Sequence, residues 1–306
     1  MDSSGASRAR ARRSGSRAAR VPCVTKILSI QSSVAYGHVG NSAAMFPLMR
    51  MGHEVLGVFT VHFAASTVYG PPAGPMLTPD QVGQVVDGLD GLGVLGDVAA
   101  VLSGFQGAPA MGERILASVR LAKERNPEAI YCCDPVMGDV GRGFYALPGI
   151  PELLRDEIVP VSDICIPNHF ELDFLTGRQT RTLPDIVDAA RSLVACGPRA
   201  VVVTSAVAED ASPDELHMVA VTQDGAWRVT TPLIGRSFTG SGDVTSAVFL
   251  ADYLERGSVP AALGRTADVV YSLLKVTEEV GSRELALVAG QSQFTDPAYH
   301  FEVADL

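Results

Sequence analysis

The run Thr239–Ala251, "TGSGDVTSAVFLA", sets Gly240, Ser241 and Gly242 ahead of a lone carboxylate, Asp243, and then an apolar stretch that reads as a buried helix. Two glycines around a serine leave backbone N–H groups uncovered where that helix begins, and the helix dipole adds partial positive charge there. The combination is an anion cradle. A carboxylate at its edge is placed to accept a proton from a hydroxyl as a phosphoryl group is transferred to it. The alternative is that Asp243 only caps the helix.

More oxygen donors recur elsewhere. "CDPVMGD" ends an apolar run with Asp134 and places Asp139 across a turn, while "PNHFE" spaces Asn168 and Glu171 at i and i+3, on one face of a helix start. Three carboxylates and an amide suit Mg2+, which takes oxygen ligands and keeps several waters. The simpler reading has Asp134 and Asn168 capping turns and Glu171 solvated on a helix.

Other chemistries lack their patterns. No G-x-x-x-x-G-K-[ST] occurs, which excludes a P-loop. "YGHVGN" has too few glycines for a dinucleotide fingerprint, and no acidic residue ends the next strand. His38, His53, His62 and His169 show no zinc-protease spacing, and "GSG" is the wrong turn for a nucleophilic serine.

The elements that must position these residues alternate along the chain. "KILSIQ", "EVLGVFTV", "DVAAVLSG", "AIYCCDP", "SDICIPN" and "RAVVVTS" read as strands apolar on both faces. Helical segments lie between them, among them Pro79–Leu89 capped by Thr78, "GERILASVRLAKER" and Pro184–Ala195. Asp224-Gly225 marks a hairpin, followed by helices at Val244–Leu254 and Ala261–Val280. This order predicts one α/β domain over residues 25–306 with a mainly parallel sheet covered on both sides. Ligands in such sheets sit beyond the carboxyl ends of the strands. Ser32, Ser33, Thr67, Asp134, Asn168, Glu171, Thr204 and Ser205 all fall there.

The 306 residues carry a net charge of −10 with 47% hydrophobic residues, which fits a globular chain and argues against a broad nucleic-acid footprint. Residues 1–24 read as a disordered basic extension, with six arginines against one aspartate in Met1–Arg20. A targeting segment or nucleic-acid tail is the alternative. No apolar run has transmembrane length. Cys23, Cys132, Cys133, Cys165 and Cys196 show no ligand spacing and suit a reducing cytoplasm. The polar stretch Ala208–Glu215 reads as a solvated loop, or else a flap over a nucleotide.

Taken together, "IQSSVAYGHVGNSAAMFPLMRMG", "CDPVMGD", "IPNHFELDFLTG", "VVVTS" and "GSGDVTSA" resemble the pyridoxal kinases of the ribokinase-like superfamily, and the likeness runs from Lys26 to "ELALVAGQSQFTDP". The resemblance implies a three-layer α/β/α fold and ATP-dependent phosphorylation of the 5′-hydroxymethyl group of pyridoxal, giving pyridoxal 5′-phosphate. Ser32, Thr67 and Phe105 would border the vitamer. Asp134, Asp139 and Glu171 would organise Mg2+, and Asp134, Asn168, Glu171, Thr204 and Ser205 would bind ATP. Gly240, Ser241 and Gly242 would form the anion hole, with Asp243 as base. K+ responsiveness and a homodimer are also implied. Against the family pattern, Ser33, His62, Ser66 and Phe105 stand where histidine, glutamine, histidine and tyrosine are usual, all expected around the vitamer pocket. Kinases of related alcohols such as hydroxymethylpyrimidine, and a non-catalytic pyridoxal 5′-phosphate carrier, are the competing readings.

Overall fold

The computed structural model describes residues 24–306, so the expected basic extension, Val24 apart, and Cys23 lie outside the described residues. In chain order the elements are β1 (Lys26–Tyr36), α1 (Asn41–Arg50), β2 (Glu54–Ala65), α2 (Pro79–Gly91), β3 (Val98–Ser103), α3 (Pro109–Arg125) and β4 (Ile130–Cys133). The small pair β5 (Gly138–Asp139) and β6 (Gly143–Phe144) follows, then α4 (Ile150–Leu153), β7 (Ile164–Cys165), α5 (His169–Thr176), α6 (Leu183–Val194) and β8 (Ala200–Ala206). The chain continues with β9 (Glu215–Thr222), β10 (Ala226–Pro232), α7 (Ser241–Arg256), α8 (Val259–Glu279) and β11 (Val303–Asp305).

Nine strands form one sheet in the order β2-β1-β3-β4-β7-β8-β9-β10-β11. Pairing is parallel from β2 to β8 and antiparallel beyond it. Strand alternation divides the apolar residues between two cores. Leu28, Ile30, Val101, Val201 and Val203 face α2, α3, α5 and α6. Ile27, Ala100, Leu102, Ala200 and Val202 face α1, α7 and α8. A strand buried on both sides needs apolar residues at every position, which is why these runs lack polar alternation. Buried Cys132, Cys133 and Cys165 belong to these cores, whereas Cys196 is exposed.

Capping chemistry sets several helix starts. Thr78 with Gln81, Asn168 with Glu171 and Thr182 with Asp185 each form a reciprocal capping box at α2, α5 and α6. The hairpin at Asp224-Gly225 joins β9 and β10 as expected.

Three features differ from expectation. β1 was expected to end at Gln31 but continues to Tyr36, paired with an equally prolonged β2 through Ser33↔His62, Val34↔Phe63 and Tyr36↔Ala65. Ser32 and Ser33 therefore lie inside a strand rather than after it, beside a bulge that shifts the register between Gln31 and Ser33. Pairing of β1 with β3 stops at Ile30↔Ser103, so the prolonged β1–β2 ribbon stands above the sheet edge as a wall. The β5–β6 hairpin and edge strand β11 are additions that two- and three-residue strands leave illegible in the sequence. Among the described residues no helix is long and apolar enough to cross a membrane.

Candidate active site

The site begins with two helices that start without side-chain caps. α1 begins after Gly40 (φ 53°) and α7 after Gly240 (φ 86°), and neither has a side-chain cap hydrogen bond. Both glycines are sterically required. A Cβ on Gly240 would fall inside the contact radius of the His38 carbonyl, and one on Gly40 inside that of Ser32. The end of β1, the start of α1 and the start of α7 are thus pressed together backbone to backbone. Gly242 differs: it is exposed, and a Cβ there would meet nothing. That open space lies over the uncapped amides where an anion would sit.

Asp243 is the third residue of α7, not its N-cap, so the capping alternative does not hold. Burial pushes its carboxyl up to about 6, although backbone hydrogen bonds from Gly40 and from its own amide pull the other way. Asp134, at the end of β4, is only 6% exposed and accepts a hydrogen bond from Ser246 Oγ at 2.8 Å. Burial and the Asp243 charge push it up to about 8, with the Ser246 hydroxyl opposing.

Glu171 is buried, not solvated. Its Oε2 accepts the Asn168 N–H at 2.9 Å and its Oε1 the Met137 N–H at 3.0 Å. Burial and the neighbouring Asp134 raise its pKa. The Asn168 side chain is a helix cap, accepting from Glu171 N–H at 2.9 Å and donating to the Gly138 carbonyl at 2.8 Å. Asp139 Oδ1 accepts the Val140 N–H at 2.9 Å on the β5–β6 hairpin. Among the described residues no three acidic, histidine or cysteine side chains close into a metal cage.

Beside these acids lies a cleft open to solvent and lined mainly by apolar side chains. Ser32, Thr67, Phe105, Gly240 and Asp243 all line it, so the residues expected at the acceptor and at the base share one cavity. Arg142 and Tyr145, from the β5–β6 hairpin and the turn after it, also line it. Tyr145 is 40% exposed as a residue, yet burial at its hydroxyl end, and then the charges of Glu171, Asp134, Asp243 and Asp139, push the phenol up. Thr204 and Ser205 lie outside this cavity at the end of β8, where Thr204 bridges to Asn168. Ser205 has φ 51°, at a register shift between Val203 and Ala206. Such a left-handed conformation costs a non-glycine residue about 1–3 kcal/mol and concentrates at functional edges. The stretch Ala208–Glu215 is tied down, with Glu209 N–H donating to the Arg181 carbonyl at 2.7 Å and Asp210 accepting from Leu183 N–H at 3.0 Å.

Comparison with known proteins decides the family. The family model described as phosphomethylpyrimidine kinase matches residues 109–287. Pyridoxal kinase PdxY of Leifsonia xyli is 47% identical over 91% of this chain and 99% of its own. Pyridoxal kinase PdxY of Rubrobacter xylanophilus is 48% identical over 90% and 96%. The chain belongs to the pyridoxal kinase family. Pyridoxal kinase from Leishmania donovani, solved with ADP and ginkgotoxin, superposes with a TM-score of 0.87 at 29% identity, covering 92% of this chain and 99% of that one.

Within the pyridoxal kinase family, this chain's departures divide by strand geometry. Ser66 and Phe105 line the cavity. His62 does not, because Val61 and Phe63 point inward and alternation turns His62 outward, where it is exposed and stacks on Phe59 at 6.2 Å. Ser33 likewise turns away from Ser32 and contacts Ser42 Oγ at 3.3 Å. Of the four residues expected around a vitamer pocket, two line this cavity and two do not. Sequence reasoning missed Gly40, Ser246, Arg142 and Tyr145. Of these only Gly40 left a signal, a glycine just before a helical run; the others depend on which elements meet in space.

Proposed function

We propose that this protein transfers the γ-phosphoryl group of ATP to the 5′-hydroxymethyl group of pyridoxal, and of pyridoxine and pyridoxamine, serving vitamin B6 salvage. The observation that carries the reading is Asp243, facing the cavity from the third position of a helix whose N-cap residue, Gly240, offers no side-chain cap. The acceptor hydroxyl, seated between Ser32, Thr67 and Phe105, gives its proton to an Asp243 carboxylate oxygen. Its oxygen bonds to the γ-phosphorus as the bond to the β,γ-bridging oxygen breaks, and ADP leaves. The amides of Gly240, Ser241 and Gly242 hold the negative charge spread over the transferring group.

Mg2+ fits the donor set. Asp134 and Glu171 are buried oxygen donors raised in pKa by burial and by neighbouring negative charge, an arrangement that a cation relieves. Asp134, Glu171 and Asp139 would hold it together with nucleotide oxygens and water. Bound there, Mg2+ supplies charge neutralisation for the phosphates. Thr204 and Ser205, beside Asn168, would flank the nucleotide. We read residues 25–306 as the kinase domain of a K+-responsive cytoplasmic homodimer; cation titration and sedimentation test those two properties.

The phosphomethylpyrimidine kinase match, with Ser66 and Phe105 in the cavity, supports a second acceptor, hydroxymethylpyrimidine. ATP consumption by purified protein with Mg2+ against each of the four alcohols decides between them. Turnover of pyridoxal is expected. Turnover of hydroxymethylpyrimidine alone overturns the vitamer assignment and leaves the Asp243 chemistry standing.

A further inference from the structure

The segment "ELALVAGQSQFTDP" follows α8 and contributes nothing to the cavity lining, yet its first residue holds that lining in place. Glu284 is 9% exposed. Its Oε2 accepts the His38 backbone N–H at 2.8 Å, and its Oε1 accepts the Tyr69 hydroxyl. Tyr69 ends the single 3-10 turn Thr67–Tyr69, which Ser66 caps, and Ser66, Thr67 and Val68 form one side of the cavity. His38 directly precedes Val39 and Gly40 on another side, and its carbonyl is the group pressed against Gly240.

The contact is built from several directions. A Cβ on Gly37 (φ 89°) would collide with the Glu284 carboxylate, so glycine there lets the backbone close over it. Arg283 lays its guanidinium 4.0 Å from the Tyr69 ring centroid, and its Nη2 reaches the Val68 carbonyl at 3.4 Å. Tyr69 is thus held by its face and by its hydroxyl at once. A phenol is protonated at neutral pH and can donate to Glu284, and that hydrogen bond pushes Tyr69 further up, to about 12.

We propose that Glu284 is a positioning residue for the acceptor alcohol: from behind the cavity it ties the Ser66–Val68 turn to the His38–Gly40 segment and so fixes the distance between two walls that grip the substrate. This rests on reading the cavity as the acceptor site. Without the tie the turn is free to move outward, and the alcohol loses its seat above Asp243. The nucleotide side, built on α5 and β8, keeps its own supports.

The test is steady-state kinetics on Glu284→Ala, Glu284→Gln and Tyr69→Phe in the full chain, with pyridoxal and ATP varied separately. Glu284→Ala is expected to raise KM for pyridoxal about tenfold, with KM for ATP within about twofold of wild type. Tyr69→Phe should raise the pyridoxal KM severalfold, and adding it to Glu284→Ala should change little further, because both remove one tie. Glu284→Gln should rescue, since its oxygen accepts from His38 N–H and its amide donates to the Tyr69 hydroxyl. Tyr69→Phe guards against a Glu284→Ala protein that fails to fold. Equal rises in both KM values, a fall in melting temperature with unchanged kinetics, or a Gln variant no better than Ala each overturn the assignment. Wild-type protein that phosphorylates no B6 vitamer overturns the functional reading, and this assignment with it.

Discussion

At the scale of single residues, the proposed reaction places its chemistry on Asp243 and the glycines before it. Asp243→Asn is expected to lower turnover by roughly 10²–10⁴ while ATP binding, read by calorimetry, stays near wild type. Because the carboxyl is raised to about 6 and must be ionised to act as base, kcat/KM for pyridoxal should fall tenfold per pH unit below about 6 and level off above it. A profile flat from pH 5 to 8 sinks that role. The two flanking glycines separate structure from function. Gly240→Ala places a methyl against the His38 carbonyl at φ 86°, and should destabilise the protein by about 2–4 kcal/mol in a denaturant titration. Gly242→Ala meets no neighbour and should leave stability equal or higher, yet it crowds the anion cradle and should cut turnover at least about tenfold. Unaltered kinetics in that variant exclude the cradle.

At the scale of elements, the contrast is between capped and bare helix starts. Removing the α5 cap with Asn168→Ala should cost about 1 kcal/mol, read as a small fall in melting temperature. The Gly138 carbonyl and Glu171 lose their partner at the same time, so the Mg2+ requirement should rise by more than that loss of stability explains. Much of this layer was legible beforehand. The Thr78 cap, the doubly apolar strands and the Asp-Gly hairpin are local patterns, and local chemistry determines them. Illegible parts needed a partner distant in sequence. Tyr36 belongs to β1 only because β2 is prolonged beside it, and the two-residue strands β5 and β6 exist only as each other's partner. The glycine turn that starts α7 was legible as such, whereas its counterpart at Gly40 becomes meaningful only when the two ends meet.

At the scale of the whole molecule, three acids raised in pKa share one region. A carboxyl that holds its proton more firmly when folded favours the folded state at low pH, and that contribution is lost as pH rises from the unfolded value of 3.8 to about 8 for Asp134. His38, His53 and His217, lowered by burial, act in the opposite sense but only below their ordinary value of 6.5. Between pH 7 and 8 the ligand-free protein should therefore lose melting temperature, and Asp134→Asn should flatten that loss and raise the value at pH 8 by about 2 °C or more. A variant no more stable than wild type at pH 8 rules this out. The contact of His38 with Gly240 and Glu284 has a temporal consequence as well. It joins the first strand-to-helix turn to the last quarter of the chain, so on the ribosome the acceptor walls stay untied until Glu284 has been made. The wall that seats the alcohol is therefore among the last parts of the fold to close, because its tie spans most of the chain.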